Sequence, residues 1–160
     1  MAEELDMIKA KQVFDTLTDM LDSIGWTYDT DEEKLMVRSG VKGDDLPIDF
    51  VVMVRPKQEV VQFLSALPFK MPQDKRIDGA IAICVANYAM IDGSFDYDLS
   101  DGQIVFRLTS SYRNSDIGME LFKYMIMVSA STIDKYNDRF FMLSKGMLTI
   151  QQFIEQEKPN

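Results

Sequence analysis

Residues 92–102 read DGSFDYDLSDG and crowd four carboxylates, Asp92, Asp96, Asp98 and Asp101, into one short stretch. Acids at such spacing could ligate calcium or share a proton. The calcium pattern fails on position. An EF-hand loop opened at Asp96 wants glycine sixth and glutamate twelfth, and this chain supplies Asp101 and Arg107 there. The run DTDEE at 29–33 fails in the same way, with Lys34 in place of the glycine and Gly40 in place of the bidentate acid. Acid–base work asks for something different: burial or a neighbouring charge must drive two pKa values apart. Nothing beside Asp44-Asp45, or beside Asp92 and Asp96, builds a dry pocket in the sequence. These acids read as turn residues and as the wet face of a β-hairpin.

Other chemistry is removed by residue type. The chain has no histidine, which deletes Ser-His-Asp and Cys-His arrangements, His-based zinc sites and the commonest general base. It contains neither GxGxxG nor GxxxxGK[ST], so the dinucleotide and P-loop fingerprints are missing. Cys84 is alone inside IAICVA, where a small buried hydrophobe is expected and a reducing compartment is implied. No catalytic, cofactor-binding or metal-binding residue is assigned.

Charge narrows the partners. Seventeen Lys and Arg against 26 Asp and Glu leave a net charge of −9 with no basic cluster, a poor match to nucleic acid or anionic lipid. Lys70, Lys75 and Arg76 form a small basic spot of the kind that is usually solvated surface. The acidic start MAEELD lacks the basic-then-apolar order of a signal peptide, and the longest uncharged run, Gly79 to Ile91, is thirteen residues against the roughly 20 that span a bilayer. A cytoplasmic location is expected.

The elements that would position any site follow from hydrophobic period. Val13, Phe14, Leu17, Met20, Leu21 and Ile24 recur at helical steps, predicting a helix over 3–24 that Gly25 stops. A meander of three strands is expected within 34–67, with room for a short extra strand at Trp26 to Asp29, and Pro68 and Pro72 then break the chain. A helix over 73–90 carries GAIAICVANYAMI, apolar on every side apart from Asn87, and is expected to be buried under sheet, third helix or a second copy of the protein. Phe95, Tyr97 and Leu99, then Ile104, Phe106 and Leu108, alternate about Asp101-Gly102 and predict a hairpin over 94–109, with Arg107 placed to pair with the aspartates. Asn114 or Ser115 can cap C-terminal helices over 116–156, the first of them long enough to bend near Lys135-Tyr136-Asn137 or to overhang into a partner. Gly146 ends that helix, Thr149 with Gln152 makes a capping box for the last one, and residues 157–160 are expected to fray. The whole reads as one α+β domain over 1–160, an antiparallel five-stranded sheet made of meander plus hairpin, in the order αβββαββα(α).

Methionine is the compositional oddity, with 12 residues, among them Met119, Met125, Met127, Met142 and Met147 in the C-terminal helices. They read as core filler or, with their aromatic neighbours, as an adaptable contact surface. The candidate interaction surface is Met119, Tyr124, Met127, Tyr136, Phe140 and Phe141.

NYAMIDGSFDYDLSDGQIVFR at 87–107, with FDTLTDMLDSIGWTYD at 14–29 and KYNDRFFMLSKGMLTIQQFI at 135–154, resembles the YbjN-like family of bacterial sensory-transduction regulators. That resemblance implies a fold like the dimeric chaperones of type III secretion and brings no active site with it. Members carry a proline after the tyrosine near 136; here Asn137 follows, which leaves the helix bend open. Two functions are compatible: a non-enzymatic interaction module, chaperone-like or regulatory, that forms a homodimer and holds a protein or peptide partner, or a small-ligand-binding protein or carboxylate enzyme with its pocket between sheet and helices.

Overall fold

The computed structural model describes residues 1–158. Residues 159–160, the end of the segment expected to fray, lie outside the described residues. Helix α1 (Ala2–Ser23) buries Val13, Phe14, Leu17, Met20 and Leu21 as its period requires, although Ile24, expected inward, is 42% exposed. Its end is a Schellman turn: Gly25, at φ +67°, donates to the Asp22 carbonyl, and Trp26 donates to Leu21. Gly146 repeats this geometry after the long helix, at φ +70°.

Six strands follow rather than five: β1 (Asp29–Asp31), β2 (Met36–Lys42), β3 (Pro47–Arg55), β4 (Val60–Lys70), β5 (Ser94–Tyr97) and β6 (Gln103–Ser111), in spatial order β1-β2-β3-β4-β6-β5, all antiparallel. The extra strand is the short N-terminal one, which begins at Asp29, the last residue of the stretch that could hold it. The β5–β6 hairpin joins the meander because β6 pairs with β4, with Phe63 opposite Leu108. Strand β4 also outruns its expected end at Leu67 and passes through Pro68 to Lys70. Beyond Leu64 it pairs with β6 and no longer with β3, and its register shifts between Ala66 and Lys70, so the missing proline N–H breaks no ladder that continues there.

Alternation sorts the two faces. Val37, Phe50, Val52, Phe63 and Phe106 point to the helical side and are buried, while Arg38, Val51, Leu64, Arg107 and their row lie on the opposite face, exposed or half-buried. Helix α3 (Met119–Ser144) crosses the covered face beside α1, and α2 (Arg76–Tyr88, entered by a 3-10 turn at Gln73–Lys75) packs on β5, α3 and α4 (Ile150–Gln156). Aromatic rings tie the layers in one chain of contacts, Trp26–Phe50–Phe63–Phe106–Phe95–Phe140–Phe153, with centroids between 4.8 and 6.4 Å apart.

The C-terminal part departs from expectation at its start. Asn114 takes a left-handed φ of +52° and Ser115 N–H bonds to the Tyr112 carbonyl, so these two residues make a turn instead of a cap. Helix α3 begins at Met119 behind Gly118, with no side-chain cap, and continues without interruption past Asn137 to Ser144. A residue with its N–H in place allows what proline would have disturbed. The capping box forms as expected: Thr149 Oγ1 accepts from Gln152 N–H at 3.2 Å, and Gln152 Oε1 accepts from Thr149 N–H at 2.9 Å.

Candidate interaction surfaces

The hairpin aspartates resolve as turn chemistry. Asp98 accepts from the Ser100 hydroxyl (2.6 Å) and N–H (2.8 Å), Asp101 accepts from Gln103 N–H (2.9 Å) and pairs with Lys70, and Asp96 pairs with Arg107 at 3.1 Å. The Ser100 bonds hold the Asp98 carboxyl below its usual range, and the Lys70 ammonium does the same to Asp101. A general acid needs the opposite shift. Leu99, expected inward, is exposed at the tip of this turn. The basic spot is used here too: Lys70 goes to Asp101, and Arg76 donates to the Ser100 carbonyl at 2.7 Å. Among the described residues, no three His, Cys, Asp or Glu side chains cluster in a way that could hold a metal ion, and no helix is long and apolar enough to cross a membrane.

The six residues of the candidate surface fall on different sides of α3. Met119, Tyr124 and Met127 are exposed, and Tyr124 donates its hydroxyl to Asp92. Phe141 is half-buried against Phe69, with centroids 5.4 Å apart. Tyr136 and Phe140 are not surface residues: they are 1% and 0% exposed, packed on Phe95 and, for Phe140, on Phe153. A 26-residue helix lying between a sheet and three other helices presents every side somewhere, and periodicity does not say which side meets which layer.

Tyr136 instead belongs to a latch on the last helix. Its hydroxyl donates to Glu157 at 2.9 Å, and Arg139 pairs with Glu157, donates to Gln156 at 2.9 Å and stacks over the Phe153 ring at 4.3 Å. Burial, then the bond to Glu157, pushes the Tyr136 phenol up to about 12. Burial pushes the Glu157 carboxyl up as well, but the bonds from Arg139 and Tyr136 outweigh it and hold the group below its usual range.

Helix α2, expected to be buried, is covered on one side only. Gly79, Ala82, Ile83 and Ala86 are buried, while Ile77, Ile81, Cys84 and Tyr88 form an open stripe at steps of four, three and four. Tyr88 is 95% exposed and Ile91, just beyond the helix, 98%. Cys84 is therefore exposed, against the expectation of a buried thiol, because IAICVA is helical and only part of its circumference meets the core. Hollows of about 350 Å³ flank the end of the stripe, one toward Tyr124 and Lys135 of α3, the other toward Ile154 and Glu157.

Sequence reasoning passed over a larger feature. A groove of about 760 Å³ separates α1 from the β1 edge, lined by Phe14, Trp26 and Leu35 below and by Asp15, Asp22 and Glu32 at the rim. Its signal was present in α1, where Asp15, Asp19 and Asp22 recur at helical steps beside the apolar stripe.

A search of the curated proteins finds no match. Among solved structures the chain is similar to YbjN from E. coli (14% identity, TM-score 0.60, covering 79% of this chain and 92% of that one). It is similar as well to a chain of the ExsC-ExsE complex (13%, 0.57, 81% and 93%) and to one of the HopA1-SchA chaperone-effector complex (12%, 0.51, 80% and 92%). At such identities the likeness is one of fold, and the α+β architecture expected from the resemblance to secretion chaperones holds. Residues 14–142 match the YbjN family, described as "Putative bacterial sensory transduction regulator", and the chain belongs to that family.

Proposed function

We propose that the protein is a non-enzymatic interaction module, chaperone-like or regulatory, that pairs with a second copy of itself through α2 and holds a segment of another protein on its remaining surface. The observation that carries this reading is the open stripe of Ile77, Ile81, Cys84 and Tyr88. Helix α2 has no charged side chain after Asp78, so two stripes can meet without setting like charges together, in a chain whose net charge of −9 makes close approach costly elsewhere. Membership of the family and likeness to a chaperone-effector complex support the same reading. Sedimentation velocity tests it. The wild type is expected to run as a dimer, and Ile81→Arg with Tyr88→Asp as a folded monomer. A wild type that stays monomeric at high concentration removes the self-association.

The small-ligand or carboxylate-enzyme alternative finds a cavity of suitable size in the α1–β1 groove, within the roughly 300–1,000 Å³ of ligand sites. The shifted aspartates are all held low, as for Asp31, Asp98 and Asp101, which gives that alternative no poised acid. A thermal-shift screen with metabolites and divalent ions separates the two readings, since a ligand that binds the folded state raises the melting temperature.

A further inference from the structure

We propose that the groove between α1 and β1 seats the partner segment, and that it selects an extended peptide carrying arginine or lysine among apolar residues. The inference rests on the interaction-module reading and names the chemistry of the partner.

Three features converge on this occupant. Within a largely polar lining, half-buried Trp26 offers one aromatic face, backed by the buried Phe14 and Leu35; Trp26 Nε1–H donates to Ser39 Oγ at 2.8 Å, which fixes the ring. The rim is anionic. Asp15, Asp22 and Glu32 line it, and among the described residues none of the three is in an ion pair. Lys11 is the sole cation lining the cavity. The Tyr28 hydroxyl registers the same field: its bond to Asp22, then burial and the charges of Asp22 and Asp19, push it above its ordinary range. Finally, among the described residues β1 is the outermost strand on its side of the sheet, so an extended chain can run alongside. A cation over an indole ring and beside carboxylates is attracted by both. An apolar side chain between the cations takes the Trp26 face, which a compact polyamine would leave uncovered.

The only tryptophan of the chain lies in the groove and reports on it directly. Trp26 emission is followed while the protein is titrated with a peptide of about eight residues alternating leucine and arginine, an extended reach of about 26 Å. The same peptide with serine or with glutamate for arginine, and spermine, serve as comparisons. The leucine–arginine peptide alone should shift the emission saturably. Its affinity should fall by about tenfold or more in the triple variant Asp15→Asn, Asp22→Asn, Glu32→Gln, and similarly at about 1 M salt, where the Debye length is about 3 Å. Equal binding of the serine or glutamate peptide, equal binding of spermine, or an unaffected triple variant overturns the proposal and leaves the dimeric module standing. A protein that binds none of the probes while still sedimenting as a dimer overturns it as well. A monomer that binds the leucine–arginine peptide supports the groove and overturns the self-association alone.

Discussion

At one end of the sheet, β5 hands the outward N–H and C=O of Phe95 to the side chain of Asn87, at 2.8 and 3.0 Å. Tyr97, on the same strand, donates its hydroxyl to the Arg76 carbonyl at 2.9 Å, so both ends of α2 are sewn to that edge. At the other end, β1 is three residues long and bordered by a groove rather than a helix. The difference lies in what each edge strand must prevent or permit. An uncovered edge is a template for another chain, and a helix carrying an amide in register with one residue removes it. A short edge beside a groove lined by Asp15, Asp22 and Glu32 repels other copies of an acidic protein while staying open to a basic one.

That contrast can be broken from the closed side first. Phe140 joins Phe95 of β5 to Phe153 of α4, and Phe140→Ala should lower unfolding free energy by about 3–5 kcal/mol in denaturant titration. A loss under about 1 kcal/mol would show that β5 is not anchored through α3. Asn87→Ala leaves two backbone groups of Phe95 unpaired and should cost about 2–3 kcal/mol, with faster hydrogen exchange at the Phe95 amide. If exchange there is unchanged, the edge is closed by packing alone.

Smaller effects sharpen the comparison. Glu157→Gln weakens the latch to Arg139 and Tyr136 and should cost about 1.5 kcal/mol at neutral pH. Because the folded carboxyl is held low, its stabilisation is present above its unfolded value of 4.5 and is lost as pH falls through the folded one; the variant should flatten that acid limb. Tyr136 works in the other direction. Its neutral form is favoured, so its contribution is complete below pH 10.0 and is lost as pH rises toward about 12; Tyr136→Phe should flatten the alkaline limb. Least of all, neutralising Asp15, Asp22 and Glu32 on the open side should leave stability within about 0.5 kcal/mol, as exposed charges do. A larger loss would make those acids part of the scaffold.

Much of the architecture was legible because it follows from local rules. The Gly25 and Gly146 stops, the Thr149 capping box and the pairing of Arg107 with Asp96 all lie where period and turn chemistry put them. The missed features are contacts between distant segments. Tyr136 and Phe140 looked like surface because aromatics beside methionine suit an interface, yet Phe95 and Phe153 bury them from outside their own helix. Cys84 looked buried because its neighbours in sequence are apolar, while four of the thirteen positions of α2, Ile77, Ile81, Cys84 and Tyr88, are exposed.

From the chain alone come the hydrophobic period of each element, the exclusion of histidine chemistry and the acidic charge, since these depend only on residue type and spacing. Tertiary structure decided which helical face stays open, that Asn87 closes β5, and that the acids of α1 stand over a groove floored by Trp26. Each of those depends on which layer a side chain meets, and that is set by packing across the sheet rather than by neighbours along the sequence.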